Sequence, residues 1–322
     1  IVFGDWSSDV CSSDLHGSKQ LYSLLKNFHE GRMDINAKPV LISEGPTWLL
    51  YDGKHSMPMA TSYMAVEKAI QKAKEFGMCF AGINNSGHYG AAGYYANMIA
   101  DHDMVGFSMT NVDPVMAVTG SKGKVLGTNP IAFAAPAAKE RTVFIDIATS
   151  AVAASKIFAA ADSNKDIPLG WLIDEDGVPT ANPKGFPRKG AQLPMADHKG
   201  YCIALMIEIM TSMLTGGEYP FNLVSWLFPE GGPVKQSHSF LVLDPSKWID
   251  INVFKSRMDV LIQSIRSKPL AKGAERIYLP GEIEWEKREK ALKDGMELPD
   301  YVLKNHQALA DYYSLDINEL YL

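Results

Sequence analysis

Between Ser56 and Phe76 the apolar residues Met59, Tyr63, Val66, Ile70 and Ala73 fall at helical spacing, and Gly77 stops the run. This pattern predicts a helix. MCFAGI (78–83) is a short apolar run of strand type, followed by the polar loop NNSGHYG and by AAGYYANMIADH, which reads as a helix. VGFSMTNV (105–112), IAFAAP (131–136) and VFIDIA (143–148) are strand candidates separated by Gly- and Pro-containing turns. TSAVAASKIFAAA (149–161) predicts a helix with small residues on its surface, and GWLIDEDGVPT (170–180) a strand running into an Asp-Gly turn. YCIALMIEIMTSML (201–214) is apolar almost all round, which predicts a buried helix. FLVLD (240–244) is a further strand, and Ile251, Phe254, Met258, Leu261 and Ile265 mark an amphipathic helix beyond it. Glu284–Arg288, Glu286–Lys290 and Glu289–Lys293 stand four residues apart, so the tail reads as a solvated helix that Gly295 ends. Strands and helices alternate, so the class is α/β with a mixed sheet and flanking helices.

The opening stretch fits none of this. DWSSDVCSSDL repeats Ser-Ser-Asp without a helical or strand period, and it lacks the build of a signal peptide. It resembles the translation of a sequencing-library adapter, so residues 1–15 are expected to be a fusion scar, the alternative being a disordered Ser/Asp-rich tail. Natural sequence then resumes at His16-Gly17 or close to it. The expected organisation is 16–50 as the remainder of an N-terminal helical region, 51–285 as the α/β region, and 286–322 as a helical tail.

Composition narrows the function. The chain of 322 residues is 46% hydrophobic and 21% charged with a net charge of −6, which argues for a globular protein and against nucleic acid or an anionic membrane as partner. No apolar run is long enough to span a membrane. Cys79 and Cys202 are lone cysteines in apolar segments, as expected of buried thiols in a reducing, cytoplasmic setting. No strand candidate is followed by G-x-G-x-x-G, and a P-loop, a zinc motif and a G-x-S-x-G elbow are also missing, so a Rossmann fingerprint and a metal site have no support.

Chemistry-bearing residues collect in the Gly-rich stretches NNSGHYG, GTNP (127–130) and DHKG (197–200). His88 precedes a helix, whose positive end favours neutral imidazole; such a ring takes a proton from a hydroxyl or donates to a carbonyl. Its alternative is a histidine that only caps its own loop. Lys199 and Gly200 stand just before the apolar helix, where a lysine and free backbone N–H groups suit a phosphate, although a solvated lysine is the plainer reading. Asp146 ends an apolar strand; it either pairs with a histidine or a ribose hydroxyl, or caps a helix near Thr149. LPGE (279–282) is a tight turn, uninformative alone.

In chain order, NNSGHYGAAGYY, LGTNPIAFAAP, IDIATS, GWLIDEDGVPT, DHKGY and YLPGE together resemble the type-2 malate/L-lactate dehydrogenase family, from His16 to about Glu282. The resemblance implies NAD or NADP bound on a fold that is not the Rossmann fold, a helical layer formed by the two ends of the chain, and a homodimer with active sites near its interface. It also implies roles. His16 would give a proton to the substrate oxygen, and His88 would be the second active-site histidine. Val112, the segment Asp146, Ile147, Ala148, Thr149 and Ser150, Lys199 with Gly200, and Pro280, Gly281 and Glu282 would meet the cofactor. Asn129 would shape the substrate side of the same cleft.

Hydride transfer to a 2-oxo acid needs a proton-moving group and a cation for the substrate carboxylate. Here the chain departs from the family: HGSKQLYSLL lacks the arginine many members carry after His-Gly, leaving Lys19 as the candidate cation. Leu15 also stands where the resemblance implies a serine before the histidine, and the few dozen residues the family carries ahead of it are expected to be missing. The leading expectation is a 2-hydroxy-acid dehydrogenase acting on a small carboxylate such as malate, lactate or ureidoglycolate. The alternatives are a folded but catalytically silent dimer and a reductase of cyclic imino acids.

Overall fold

The computed structural model describes residues 20–228, 231–295, 298 and 300–317. The amphipathic helix α1 (Leu21–His29) leads into a hairpin of β1 (Val40–Gly45) and β2 (Trp48–Asp52). Helix α2 (Pro58–Phe76) begins on its proline and ends at Gly77, whose left-handed φ of 92° closes the last turn. β3 (Met78–Ser86), α3 (Ala92–Ala100), β4 (Val105–Thr110), β5 (Ile131–Ala135) and β6 (Val143–Ile147) follow. Helix α4 (Ala154–Asp162) then precedes three two-residue strands, β7 (Leu172–Ile173), β8 (Pro179–Thr180) and β9 (Ala191–Gln192). Helix α5 (His198–Glu208) runs on through a π-helical stretch, Ile209–Met213. β10 (Gln236–Leu243), α6 (Ile251–Arg266), α7 (Glu282–Asp294) and α8 (Asp300–Tyr313) complete the described chain.

Seven strands form one mixed sheet in the order β1-β2-β3-β10-β4-β5-β6. Only the β2–β3 pair is parallel, joined through α2; the other pairs are antiparallel. β10 slots between β3 and β4, and its residues from Gln236 to Phe240 are all buried. Helices α2 and α3 pack on one face of the sheet through Ala65, Val66, Ala69, Ile70, Tyr95, Ala96 and Ile99 against Ala81, Ile83, Phe240 and Val242. Those alanines let helix and sheet approach closely, and at Gly106 a Cβ would lie 2.7 Å from Ile99. The π-helical stretch and α5 contact β10, β3 and β4. β7, β8 and β9 form a second, small sheet.

The α/β class, the mixed sheet and the flanking helices match the expectation, and α1 meets α8 with His29 edge-on to Tyr312 at 4.8 Å. Several local expectations need correcting. The stretch 16–50 is not wholly helical, because β1 and the start of β2 lie in it. β1 alternates exposed and half-buried residues, so its apolar signal is weak. The polar run after Ile83 begins as strand, since β3 continues to Ser86 beside β2 and β10. Helix α4 starts only at Ala154, because Ser150 bridges to Pro194 and the Ala151 N–H donates to Leu193 O. Tyr63 and Leu261 face outward rather than into the core. Helix α5 is not buried all round: Leu205, Met206, Ile209, Met213 and Leu214 form an exposed apolar face along it. Cys79 is buried, whereas Cys202 is exposed. No described helix is long and apolar enough to cross a membrane.

Candidate active site

The loop between β3 and α3 sends neighbouring side chains opposite ways. Tyr89 turns into the core, where it stacks on His238 at 4.3 Å and shares a 3.0 Å hydrogen bond with Ser108. His88 faces a cleft of about 480 Å³ that Val112, Asp113, Asp146, Ala148, Ser150, Gln192 and Trp226 also line, a volume in the range of ligand pockets. Gly90, at φ 88°, makes the turn, and its N–H donates to His88 Nδ1 at 3.3 Å. With Nδ1 accepting, the neutral ring carries its proton on Nε2, a tautomer suited to donating toward a carbonyl oxygen.

Trp226 covers the His88 ring, centroid to centroid 4.1 Å at 30°. It is held from the far end of the sequence. Asn27 Nδ2 donates to Trp226 O at 2.9 Å, and the buried Arg32 donates to the carbonyls of Ser225 (2.5 Å), Phe228 (2.9 Å) and Gly232 (3.3 Å). Burial pulls the Arg32 guanidinium below its ordinary pKa, while Glu30 and Asp113 oppose that shift.

The opposite wall is the end of β6. Asp146 Oδ2 accepts the Gly93 N–H at 2.8 Å, so this carboxylate caps α3, not a helix near Thr149. Burial raises its pKa to about 6; the Gly93 hydrogen bond opposes the shift and Glu284 adds to it. A side chain at Gly93 would run into the Phe144 ring and come within 2.8 Å of Asp146 Oδ2. Ala148 and Ser150 line the cleft. Ile147 points outward, and Thr149 is buried, its N–H and Oγ1 both donating to Thr128 O at 2.9 Å.

Gly200 packs against Thr149, whose carbonyl oxygen would lie 2.7 Å from an added Cβ. Its N–H and that of Lys199 are not free for a phosphate, because they donate to Met195 O (2.9 Å) and Ala196 O (3.3 Å). The exposed Lys199 side chain is what the start of α5 offers. Pro280 and Gly281 back onto β6: the Phe144 N–H donates to Pro280 O at 3.2 Å, and Gly281 takes φ 90° where a Cβ would meet Phe144. Glu282 turns to the other side, accepting the Leu279 N–H at 2.8 Å and pairing with Arg266. It lines a separate groove of paired charges, with Arg141, Arg276 and Glu289.

Asn129 is fully buried beneath the cleft and does not line it. Its Oδ1 accepts the Val112 N–H (3.1 Å), and its Nδ2 donates to Ala204 O (3.1 Å) and Glu208 Oε2 (2.8 Å). Asn111 Nδ2 donates to the other oxygen of Glu208 at 2.9 Å. Asn129 therefore positions Val112 from below. His16 and Lys19 lie outside the described residues, although the adjoining Gln20 and Ser23 line the cleft. Among the described residues, no group of three His, Cys, Asp or Glu is placed to hold a metal ion. Trp226, Arg32, Asp113 and Gln192 were not singled out by sequence reasoning, because nothing local marks them.

Comparison with known proteins gives a consistent picture. A family model described as malate/L-lactate dehydrogenase matches residues 6–306. A malate dehydrogenase of Pyrococcus horikoshii is 34% identical over 310 residues, covering 94% of this chain and 85% of that protein. A malate/(S)-sulfolactate dehydrogenase of Methanothermus fervidus is 32% identical, with 96% and 89% covered. A solved structure of the P. horikoshii malate dehydrogenase superimposes with a TM-score of 0.85 at 32% identity, covering 94% and 86%. Two other relatives name their cofactors: a (2R)-3-sulfolactate dehydrogenase (NADP(+)) of Chromohalobacter salexigens, 31% identical with 92% and 85% covered, and a ureidoglycolate dehydrogenase (NAD(+)) of Escherichia coli, 29% identical with 88% and 81% covered.

Proposed function

The chain belongs to the malate/L-lactate dehydrogenase family, and from that premise we propose that the cleft beside His88 is the site where a small 2-hydroxy acid and NAD or NADP are brought together. The observation that carries this reading is convergence: His88, Val112, Asp146, Ala148 and Ser150, far apart in sequence, line one continuous cleft. The residues fit a dinucleotide. The cleft-lining Gln192 and Gln236 each keep a buried Oε1 without a partner. When bound, the nicotinamide accepts or gives the hydride.

His88 presents Nε2–H to the substrate oxygen and polarises the carbonyl in the direction of reduction. It is a poor final proton source, since losing Nε2–H while Nδ1 accepts from Gly90 would leave an imidazolate. His16 is assigned that proton, and Lys19 the substrate carboxylate. Trp226 excludes water from the His88 face and fixes the ring plane. Val112, set by Asn129, holds the cofactor with Asp146, Ala148 and Ser150, and the exposed Lys199 side chain is assigned to its phosphates. The exposed apolar face of α5 is assigned to a second copy of the chain.

The test is NADH and NADPH binding followed by fluorescence, together with turnover of a 2-oxo-acid panel. His88→Ala should lower kcat by about 10²-fold or more, the scale of a general acid–base or electrophilic group, while largely sparing NADH binding. Near-normal turnover would remove His88 from the chemistry.

A further inference from the structure

Among its described lining residues the cleft carries charge of one sign: Asp113 and Asp146 line it, and no lysine or arginine does. Asp146 is committed to the Gly93 N–H on the β6 wall. Asp113 stands by the His88 end. The Ser225 hydroxyl hydrogen-bonds to its carboxylate, and the next residue of that loop, Trp226, stacks on His88. Two cations feel Asp113 without joining it in the cleft. Arg32 directs its guanidinium to three main-chain carbonyls, and Lys124 donates from Nζ to Pro187 O at 2.7 Å. Burial is the largest influence on Asp113 and raises its pKa, while Ser225, Lys124 and Arg32 oppose that shift.

We propose that Asp113 is a specificity-determining residue that selects 2-oxo and 2-hydroxy acids by the charge of the end remote from the reacting carbon. A second carboxylate or sulfonate is rejected, and a neutral or N–H-donating tail is accepted. The inference rests on the reading of the cleft as a 2-hydroxy-acid site. Every such substrate brings one carboxylate, to which Lys19 is assigned. A dianion brings a second, and among the described lining residues it meets Asp113 and no cation. An amide or ureido N–H in the same place donates to Asp113 instead, so discrimination arises from repulsion on one side and a hydrogen bond on the other. This sets the chain apart from relatives named for malate and sulfolactate, whose substrates carry two anionic groups.

The test compares oxaloacetate with its neutral-tailed isostere 2-oxosuccinamate, on the full chain and on Asp113→Asn, with NADH or NADPH. The amide retains the size of the side chain and can still bond to Ser225. The unaltered chain should favour 2-oxosuccinamate in kcat/KM by about tenfold or more, the scale of one like-charge contact at intermediate dielectric. Asp113→Asn should bring the ratio close to unity by raising turnover of oxaloacetate. A preference for oxaloacetate, or a ratio unmoved by the substitution, overturns the proposal. Failure to reduce any 2-oxo acid overturns the catalytic reading instead. Binding of the unreactive analogues oxamate and oxalate, read by tryptophan fluorescence, then decides the charge filter by itself: equal affinity for both overturns it, and oxamate preference abolished by Asp113→Asn supports it.

Discussion

Replacing Asn129 by alanine is expected to destabilise the fold more than any change at the rim of the cleft. The side chain is fully buried and makes three hydrogen bonds, to the Val112 N–H, to Ala204 O and to a carboxylate oxygen of Glu208. Two are neutral and one is to a charged group, so removing them and leaving their buried partners unpaired costs roughly 3 kcal/mol. The sign of its pH dependence follows from Glu208. Burial raises that carboxyl's folded pKa, and the hydrogen bonds from Asn111 and Asn129 pull it back down. A carboxyl whose folded pKa is raised favours the folded state while protonated and weakens it as pH rises through that pKa. Without Asn129 the folded pKa rises further, so the deficit should be larger at pH 8 than at pH 5. Urea unfolding at both values, with an unchanged m-value, measures it. Pairing the change with Glu208→Gln should give a loss smaller than the sum of the two single variants, because the stranded charge is gone. A deficit below about 0.5 kcal/mol, or one equal at the two pH values, would refute the reasoning.

Gly93→Ala places a methyl group against the Phe144 ring and Asp146, so it should cost about 1–3 kcal/mol of overpacking by denaturant unfolding, despite alanine's better helix propensity. Asp146→Asn keeps an acceptor for the Gly93 N–H but cannot ionise. Because burial lifts Asp146 from 3.8 to about 6, the unaltered protein should lose stability as pH rises between those values. The variant should lack that fall in a pH series of thermal or urea midpoints. Ile209→Arg, in the exposed apolar face where α5 runs into the π-helical stretch, should convert the proposed dimer into a monomer by light scattering while leaving helix content unchanged.

The sequence was most legible where a short-range pattern and the tertiary environment agree. The long helix ending at Gly77 is such a case, since the left-handed cap is a local requirement. Its buried face was less legible, because Thr61, Ser62 and several alanines occupy the core while Tyr63 points out. The apolar run of α5 concealed two environments, one face against the sheet and one exposed. At the site, His88 and the 146–150 segment stand in compact motifs. The residues that aim them do not: Arg32 and Gly232 are 200 positions apart, and no pattern in either neighbourhood announces the contact. The burial of Asn129 and the outward turn of Glu282 depend equally on distant partners.

The placement of β10 has a consequence for how the protein is made. Its neighbours β3 and β4 are finished by Thr110, yet His238, which bonds to that threonine, lies 128 residues further on. During synthesis the sheet therefore exists as two halves, each ending in an unpaired edge, until the ribosome has delivered the strand that joins them. Long-range pairing of this kind closes slowly, and open edges invite pairing with other chains. A nascent chain stopped before Gln236 would carry most of the helices and most of the cleft lining, but lack the strand that unites its sheet.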